Sequence, residues 1–566
     1  MAEPVSVDLQ ARFPELNQIV LQLLVNRGLT TQAVIDGFLS PDYLTDLHDP
    51  FLFSQMDKAV KRILSAIEAQ EHIMVYGDYD ADGVTSTAVM IEALTALGAT
   101  HLDRYIPYRE TEGYGLNPVA VKKIADDGVT LVITVDCGIT GGAEIDILNA
   151  QNVDVIITDH HHAPVSLPKA YAIINQNVPG EPYPFKDLTG VGVAFKVAQA
   201  LVARHASYKV TQLAEGFEKW LLDLVAIGTI ADIQPLLGEN RVFATYGLVV
   251  INRTRRIGLQ KLLASLNNKT NHIDERAVGW QIVPRLNAAG RLNHASTAYE
   301  LLTTQDETEA TRLSQELSQT NQERQQITEK IRDEARKQIG TFKDQNILIV
   351  VGEEWPTGIV GLVAGKIADE FHRPTLVISR FKGEIIGSAR SIAEFNVIEA
   401  IEQCADFLKK FGGHPQAAGF TIDGEEGLQQ FIQKMTTLAD AQLTGKDIPA
   451  VLSVDTEIDL DQVNWELFEA LEKFPPYGED NPKPRFLAKQ LTVVDHQKLG
   501  KGELHMRLMV SHTKPVIRKT IGFNLGEWCN TLKRGDKVDM VFEVDVNEWN
   551  GNRELQMKIV DLKMSL

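Results

Sequence analysis

The chain reads as an α/β protein with four successive parts: a mainly parallel sheet, a long connecting helix, a smaller second α/β unit and a C-terminal β-barrel. Three observations predict this. The runs Leu131–Asp136 and Val153–Asp159 are almost wholly apolar, which suits strands of a parallel sheet covered on both faces. Residues 306–340 carry only a thin apolar stripe (Leu313, Leu317, Ile327, Ile331, Ile339) in an otherwise charged segment, the pattern of one long exposed helix. Beyond residue 450, short strand patterns alternate with polar turns, as in small barrels.

In chain order, residues 1–70 look helical. Leu16, Ile19, Val20, Leu23 and Leu24 fall at helical spacing, and Ser40-Pro41-Asp42-Tyr43 and His48-Asp49-Pro50 mark turns. Strands are expected at 72–78, 131–136, 153–159, 170–175 and 222–232, with a helix from Ser86 to Leu94 after a tight turn at Gly83. A second α/β unit begins at Asn346–Gly352, continues through Pro374–Ser379 and Gly383–Ala389, and ends in the glycine-rich Phe411–Phe420. In the last part Arg485–Leu487, Leu491–Val494, His505–Val510 and Asp539–Val544 read as strands, and Asn550-Gly551 as a hairpin turn. The expected boundaries are 1–70 (helical), 71–305 (main α/β domain), 306–340 (helix), 341–449 (second α/β unit) and 450–566 (barrel).

Composition excludes several classes. With 44% apolar and 23% charged residues the chain is ordinary globular protein, and its length of 566 residues calls for more than one domain. No apolar run is long enough to span a bilayer and no signal-peptide pattern is present. Cys137, Cys404 and Cys529 are scattered, so neither a disulfide framework nor a zinc site is expected, and a cytoplasmic compartment is. A net charge of −20 argues weakly against non-specific polyanion binding, because bound cations cancel an acidic metal site and a local basic groove can coexist with an acidic remainder.

The chemistry concentrates where strands end in aspartate. Asp78, Asp80 and Asp82 alternate after the first apolar run, Asp136 ends the second, and Asp159-His160-His161-His162 ends the third. Ala231-Asp232 ends a further apolar stretch. In open α/β sheets such ends share one edge, where ligands bind. Clustered like charges repel and need a cation. Carboxylates with imidazoles and no cysteine suit Mn²⁺ and tolerate Mg²⁺, and so many acids suit two ions better than one. Two divalent ions a few ångströms apart can generate a hydroxide and stabilise both oxygens of an in-line displacement at phosphorus. A phosphoester or phosphoanhydride hydrolase follows. Arg109, Arg285, Arg291, Arg390 and the glycine-flanked His414 are candidate phosphate donors, and Arg285, Arg291 and Arg390 are set among small residues where a ligand can approach. Gly190-Val191-Gly192 lacks the spacing of a phosphate loop and reads as close helix packing.

These motifs resemble those of the DHH phosphoesterases. Gly77–Gly83, Asp136-Cys137-Gly138, Asp159-His160-His161 and Ala231-Asp232 match the successive motifs of the catalytic domain, and Gly412-Gly413-His414 through Phe420 matches the DHH-associated domain. Pro284–Arg291, Arg109–Gly115 and Phe474–Pro482 resemble the RecJ branch. The resemblance covers nearly the whole chain. It implies a DHH catalytic domain, a DHH-associated domain and an OB-like barrel. It also implies single-strand-specific 5′-to-3′ DNA exonuclease activity releasing 5′-mononucleotides, with two Mn²⁺ or Mg²⁺ ions, in DNA repair and recombination.

Motif by motif, the resemblance implies that Asp80 holds one ion with help from Asp78, and that Asp82, His160 and Asp232 hold the other. Asp136 bridges, His161 faces the scissile phosphate, and Asp159 orients the histidines. Arg109, Arg285, Asn287, Arg291, Ser388, Arg390, Gly413 and His414 contact substrate. Two departures stand out. Tyr76 occupies the place of a histidine ligand found in some relatives, and Pro356 stands where RecJ-like sequences often carry histidine. The barrel implies a path for single-stranded DNA, with Lys514, Arg518, Lys519, Lys533, Arg534 and Lys537 as cations and Trp528 or Trp549 as stacking groups. In the family, core and barrel leave an opening that admits one strand and excludes duplex. A RecQ-like helicase and a single-strand-binding protein are plausible partners, and a monomer is expected. The rival enzyme reading, a phosphodiesterase of oligonucleotides or cyclic dinucleotides, has no need of residues 450–566. A non-catalytic single-strand-binding protein on a degenerate core would have lost some of the acids.

Overall fold

A computed structural model describes residues 3–266, 272–340, 345–512, 516–549 and 552–565. They fall into two compact units. One comprises 49–232 and 247–450, and the other 1–48, 233–246 and 451–566.

The first sheet of the larger unit is all parallel. Its strands are β1 (Ile73–Gly77), β2 (Leu102–Tyr105), β3 (Leu131–Val135), β4 (Asp154–Thr158) and β5 (Ala172–Ile174), in the order β2-β1-β3-β4-β5. Every residue of β1 and β3 is buried, because both faces are covered. Helices Pro118–Asp126 and Gly142–Ala150 pack on one face through Val121, Ile124, Ile145 and Leu148. Helices Ala81–Ala96 and Gly190–Arg204 lie on the other.

Four sequence expectations change here. β2, with no buried residue in its Leu-Asp-Arg-Tyr run, carries no apolar signal and was not anticipated. Residues 222–232 are not a strand but the helix Leu222–Ala231. It is buried all round, and a continuous apolar run of that length does not separate strand from buried helix. The helix after β1 starts at Ala81 rather than Ser86. Gly83 therefore lies inside its first turn, where a Cβ would come within 2.6 Å of the Asp78 backbone; it serves close packing, not a turn.

The long helix spans Glu307–Ile339, with Leu313, Leu317, Ile331 and Ile339 buried and Asp306 capping it by accepting from Glu309 N. It packs on helix Val283–Leu292 at one end and on helix Thr357–Phe371 at the other. The second sheet is mixed: β6 (Leu348–Glu353), β7 (Thr375–Phe381), β8 (Glu384–Arg390), β9 (Leu408–His414) and β10 (Ala417–Ile422), ordered β6-β7-β8-β10-β9, with only β6 and β7 parallel.

In the smaller unit β11 (Thr456–Glu457) leads into β12 (Phe486–Leu499), β13 (His505–Ser511), β14 (Ile517–Gly522), β15 (Lys537–Trp549) and β16 (Asn552–Met564). The pairing β12–β15 closes these last five strands into a barrel, filled by Phe486, Leu491, Met506, Leu508, Met540 and Phe542. Arg241 is fully buried here and donates to the carbonyls of Phe38, Lys473, Phe474 and Pro475. Among the expected strand-binding cations, Arg518 instead donates to the Leu460 and Val463 carbonyls. Lys519 pairs with Glu554 and Arg534 with Asp495. Trp528 is half-buried against the barrel core. Lys514, the Asn550-Gly551 turn and the side chain of Trp549 lie outside the described residues. No helix among the described residues is long and apolar enough to cross a membrane.

Candidate metal centre and phosphate cleft

The strands of the first sheet end at one edge, and their acids meet there. Among the described residues, ligand atoms fall into three groupings, each within 4.8 Å: Asp78 with Asp80 and Asp136, Asp82 with His160 and Asp232, and Asp136 with His160 and His161. The alternation Asp78, Asp80, Asp82 does not continue along an extended segment. Asp80 caps the helix, its Oδ1 accepting from Asp82 N and Gly83 N. Asp82 sits in the first turn and is carried away from the other two.

Asp82 is held by a feature the sequence did not signal. Its two carboxylate oxygens accept from Gly190 N at 2.7 Å and Val191 N at 2.8 Å. These open the helix Gly190–Arg204, whose N-terminus favours negative charge. A Cβ on Gly190 would come within 2.3 Å of Asp136 Oδ1. The Gly190-Val191-Gly192 run thus does more than pack helices: it lets a helix end approach two carboxylates.

Asp136 follows β3 with φ of +60°, a left-handed conformation uncommon outside glycine but tolerated by aspartate. Asp136 Oδ1 stands 3.1 Å from His160 Nε2, and that nitrogen is 3.7 Å from Asp232 Oδ2. Asp78 Oδ1, Asp136 Oδ1 and His160 Nε2 are buried without a hydrogen bond, although such atoms normally have one. Burial first, and neighbouring carboxylates second, push the carboxyls of Asp78, Asp82 and Asp136 well above their ordinary range. Burial, then the His161 charge, lowers His160 to about 3. Neutral imidazole and crowded acids with open lone pairs are the donor set a divalent cation stabilises. The residues present fit two such ions.

Asp159 is differently placed. Its Oδ2 accepts from Ile139 N, and its Oδ1 accepts from His160 N and His161 N and pairs with His161 Nδ1 at 2.7 Å. With these donors it is an orienting group for His161. Burial opposes the charge on His161, yet Asp159 outweighs it and raises the imidazole to about 9. Tyr114 was not anticipated. Its hydroxyl lies 3.0 Å from His161 Nδ1 and 3.2 Å from the Asp136 carbonyl; only its place in the Arg109–Gly115 loop pointed toward it. His162 turns outward, its ring 6.1 Å from that of His414. Tyr76 is fully buried, stacks on Tyr105, and donates from its hydroxyl to the Gly115 carbonyl. It belongs to the sheet's packing, not to the acid cluster.

Cations gather beside the acids. Arg291 is pushed down to about 10, by burial first and then by the charges of Arg109 and Arg324. Arg390 is lowered by burial and then by Arg109. Arg324, from the long helix, was missed because nothing distinguishes it from that helix's other charges. Arg109, Arg291, Pro356 and Lys382 line a cavity of about 360 Å³. Gly290 and Gly358 make the approach possible, since a Cβ on either would meet backbone at 2.5 and 2.4 Å. Ser388 Oγ accepts from Arg390 Nη1. Two expected contacts are engaged elsewhere. Arg285 donates to the Gln281 carbonyl, and Asn287 Oδ1 accepts from Ala81 N and so anchors the helix that carries Asp82.

Family models match in three places: the DHH family N-terminal domain over residues 72–229, the DHHA1 domain over 344–440 and the RecJ OB domain over 454–561. The chain is 40% identical to the single-stranded-DNA-specific exonuclease RecJ of Bacillus subtilis, over 97% of this chain and 68% of that one. Its fold is similar to the crystal structure of RecJ from Thermus thermophilus in complex with Mn²⁺, with a TM-score of 0.82 and 28% identity over 99% of this chain and 77% of that one. The Mg²⁺ complex of the same protein gives a TM-score of 0.75, with 27% identity over 99% of this chain and 76% of that one. The chain belongs to the RecJ family of DHH exonucleases.

Proposed function

We propose that this chain is a single-strand-specific 5′-to-3′ DNA exonuclease that hydrolyses the phosphodiester nearest the 5′ end and releases 5′-mononucleotides. The observation that carries the reading is the set of ligand groupings linked through Asp136 and His160 and set beside the arginines of the cleft. In this reading Asp78 and Asp80 hold one divalent cation, Asp82, His160 and Asp232 hold the other, and Asp136 serves both. Bound Mn²⁺ or Mg²⁺ would supply a nucleophile at neutral pH and charge neutralisation at phosphorus. His161, kept protonated and oriented by Asp159 and Tyr114, donates to a phosphate oxygen as charge develops. Arg109, Arg291, Arg324 and Arg390, with Ser388, Gly413 and His414, hold phosphate and set the strand's position.

The barrel, residues 450–566, is the strand-binding module in this reading, after the DHH domain at 71–305, the helix at 306–340 and the DHH-associated domain at 341–449. The helical segment 1–70 precedes them. A cytoplasmic site of action beside a helicase and a single-strand-binding protein accords with repair and recombination. The test offers the purified chain with Mn²⁺ a labelled 5′-phosphorylated single strand, a blunt duplex and a dinucleotide. Stepwise release of mononucleotides from the 5′ end of the single strand is expected, with the duplex spared. Faster turnover of the dinucleotide, with the long strand left intact, would favour a short-oligonucleotide phosphodiesterase instead.

A further inference from the structure

Two helices of the larger unit meet at the metal centre and are tied together again far from it. Helix Ala81–Ala96 carries Asp82 in its first turn, and helix Leu222–Ala231 leads directly into Asp232. Asp82 and Asp232 belong to one ligand grouping, with His160. One helix reaches that grouping with its N-terminal end and the other with its C-terminal end, and the two pack side by side in opposite directions. At the rise of an α-helix, Asp82 to Glu92 spans about 15 Å and Asp223 to Asp232 about 13.5 Å. Glu92 and Asp223 therefore stand at matching depths, away from the acids.

Arg256 joins them there. Its Nε donates to both Asp223 carboxylate oxygens at 2.9 Å, its Nη2 donates to Glu92 Oε2 at 2.9 Å, and its Nη1 donates to Glu92 Oε1. A planar guanidinium can engage two carboxylates in this way, and an ammonium cannot. Asp223 also accepts from Thr254 Oγ1. The side chains of Arg256 and Asp223 are 11% and 2% exposed, so solvent screens the pair little. Burial opposes the charge on Arg256, yet the two carboxylates outweigh it and raise the guanidinium above its ordinary value.

Between this clamp and the ligand grouping the helices come close at Gly228, where a Cβ would lie 2.4 Å from Thr85 Oγ1 and 2.9 Å from Asp82 Oδ1. A glycine contact brings the backbones together without an interlocking side chain, so it acts as a pivot. A small rotation about it would shift Asp232 against Asp82, whereas metal–ligand distances hold to about 0.2 Å. Glu92 lies about 10 Å beyond Thr85 along the first helix, and a tie at that distance blocks the rotation. The other ion's grouping has no such dependence. Asp78 and Asp136 follow strands and Asp80 caps the first helix, so helix Leu222–Ala231 carries none of them.

We propose that Arg256 is a positioning residue for the ion assigned to Asp82, His160 and Asp232. By holding Glu92 and Asp223 it fixes the two helices that deliver Asp82 and Asp232, from about 15 Å away. The proposal rests on the two-ion reading given above and extends it to a residue outside the site.

Full-length Arg256→Lys and Glu92→Ala test it. Lysine keeps the charge beside buried Asp223 but serves only one carboxylate. Glu92→Ala keeps the buried Arg256–Asp223 pair, and alanine suits a helix interior, so the fold survives. Asp232→Asn marks the ion in question. Calorimetric titration of metal-free protein with Mn²⁺ resolves the binding events. The event lost in Asp232→Asn should weaken about ten-fold or more in both clamp variants, and the other should stay within about two-fold. The Mn²⁺ concentration for half-maximal hydrolysis of a single strand should rise by the same factor, with KM for the strand and kcat at saturating Mn²⁺ within about three-fold. Arg255→Ala is the control. Arg255 is exposed, its guanidinium lies over the Trp220 ring, and the variant should titrate as the parent. A lowered melting temperature with a parent-like Mn²⁺ titration in Glu92→Ala would overturn the proposal and leave a structural ion pair. Equal weakening of both events would overturn it too. If the parent binds no ion that Asp232→Asn removes, the two-ion reading fails and takes the proposal with it. If the clamp variants weaken that one ion while the parent cuts no single strand, the exonuclease reading fails and the clamp stands.

Discussion

In the proposed reading the two sheets of the larger unit divide one reaction between them. The first is all parallel, so its strand ends share one edge and its acids converge there: Asp78 and Asp80 beyond β1, Asp136 beyond β3, Asp159 and His160 beyond β4. The second is mostly antiparallel, and at one of its edges Arg390 ends β8 and His414 ends β9, in one row across Ala417. A parallel edge concentrates like charge at a point, which suits a cation. The row on the second sheet sets cations side by side, which suits phosphate. In the proposed reading topology thus separates the groups that do chemistry from those that hold the polymer.

The largest test of that division is Asp136→Asn. It keeps the side chain's volume and removes the charge common to two ligand groupings. Hydrolysis should fall by about 10³-fold or more, Mn²⁺ affinity measured by calorimetry should fall with it, and single-strand affinity without metal should hold or improve. Arg291→Ala acts on the other side. Loss of about 10²-fold in kcat/KM is expected, with Mn²⁺ binding retained. If Arg291→Ala abolished Mn²⁺ binding, or Asp136→Asn abolished strand binding, the division would be wrong.

Asp159→Asn is a finer probe, because Asp159 belongs to the acid edge but holds a histidine. Activity should fall about 10- to 100-fold. The direction of the titration can be checked in metal-free protein by histidine NMR. His161, raised to about 9, should move down toward its ordinary 6.5 once the anionic partner that stabilises the imidazolium is neutral. The same linkage fixes the sign for stability. The parent's pair contributes fully below about 6.5, and that contribution is lost as pH rises through about 9. Tyr114→Phe removes a hydroxyl 3.0 Å from the same nitrogen and should cost only several-fold in kcat, with KM unchanged.

Most of the acid edge was legible in the sequence, since an apolar run ending in aspartate announces both a buried strand and its exit. Asp78, Asp80, Asp136, Asp159 and His160 were found this way. Asp232 was found for the wrong reason. It follows a helix, and the apolar run Leu222–Ala231 has no periodicity that separates a buried helix from a strand. The groups that support the site were less visible. Gly190 N and Val191 N act through backbone, which no side-chain pattern encodes. Asn287 and Arg285 stood in a family motif, yet the motif holds helices together as much as it reaches for substrate. Arg324 is hidden in a helix full of charge. β2 was invisible because none of its residues is buried and its Leu-Asp-Arg-Tyr run carries no apolar signal. The barrel was legible as a class, but the fate of its cations was not: Arg518, expected as a strand-binding cation, donates to two carbonyls.

The smallest effect expected concerns how the two sheets are held in register. Glu110, in the loop after β2, pairs with Lys382, at the β7–β8 turn. Lys382 also lines the cleft. The side chains are 46% and 67% exposed, so solvent screens them, and such pairs are worth about 0.2–1 kcal/mol. Lys382→Glu should therefore raise KM for a single strand less than about five-fold at low salt, partly through repulsion from Glu110 and partly through added charge at the mouth of a phosphate cleft. The two causes separate in the swap Glu110→Lys with Lys382→Glu. If repulsion between the lobes dominates, the swap restores KM at every salt concentration. If the cleft's own potential dominates, Glu110→Lys alone lowers KM and the swap lies between the two single variants. The acid edge and the cationic row would then be coupled by field and not by contact, and the difference should fade as ionic strength shortens the Debye length.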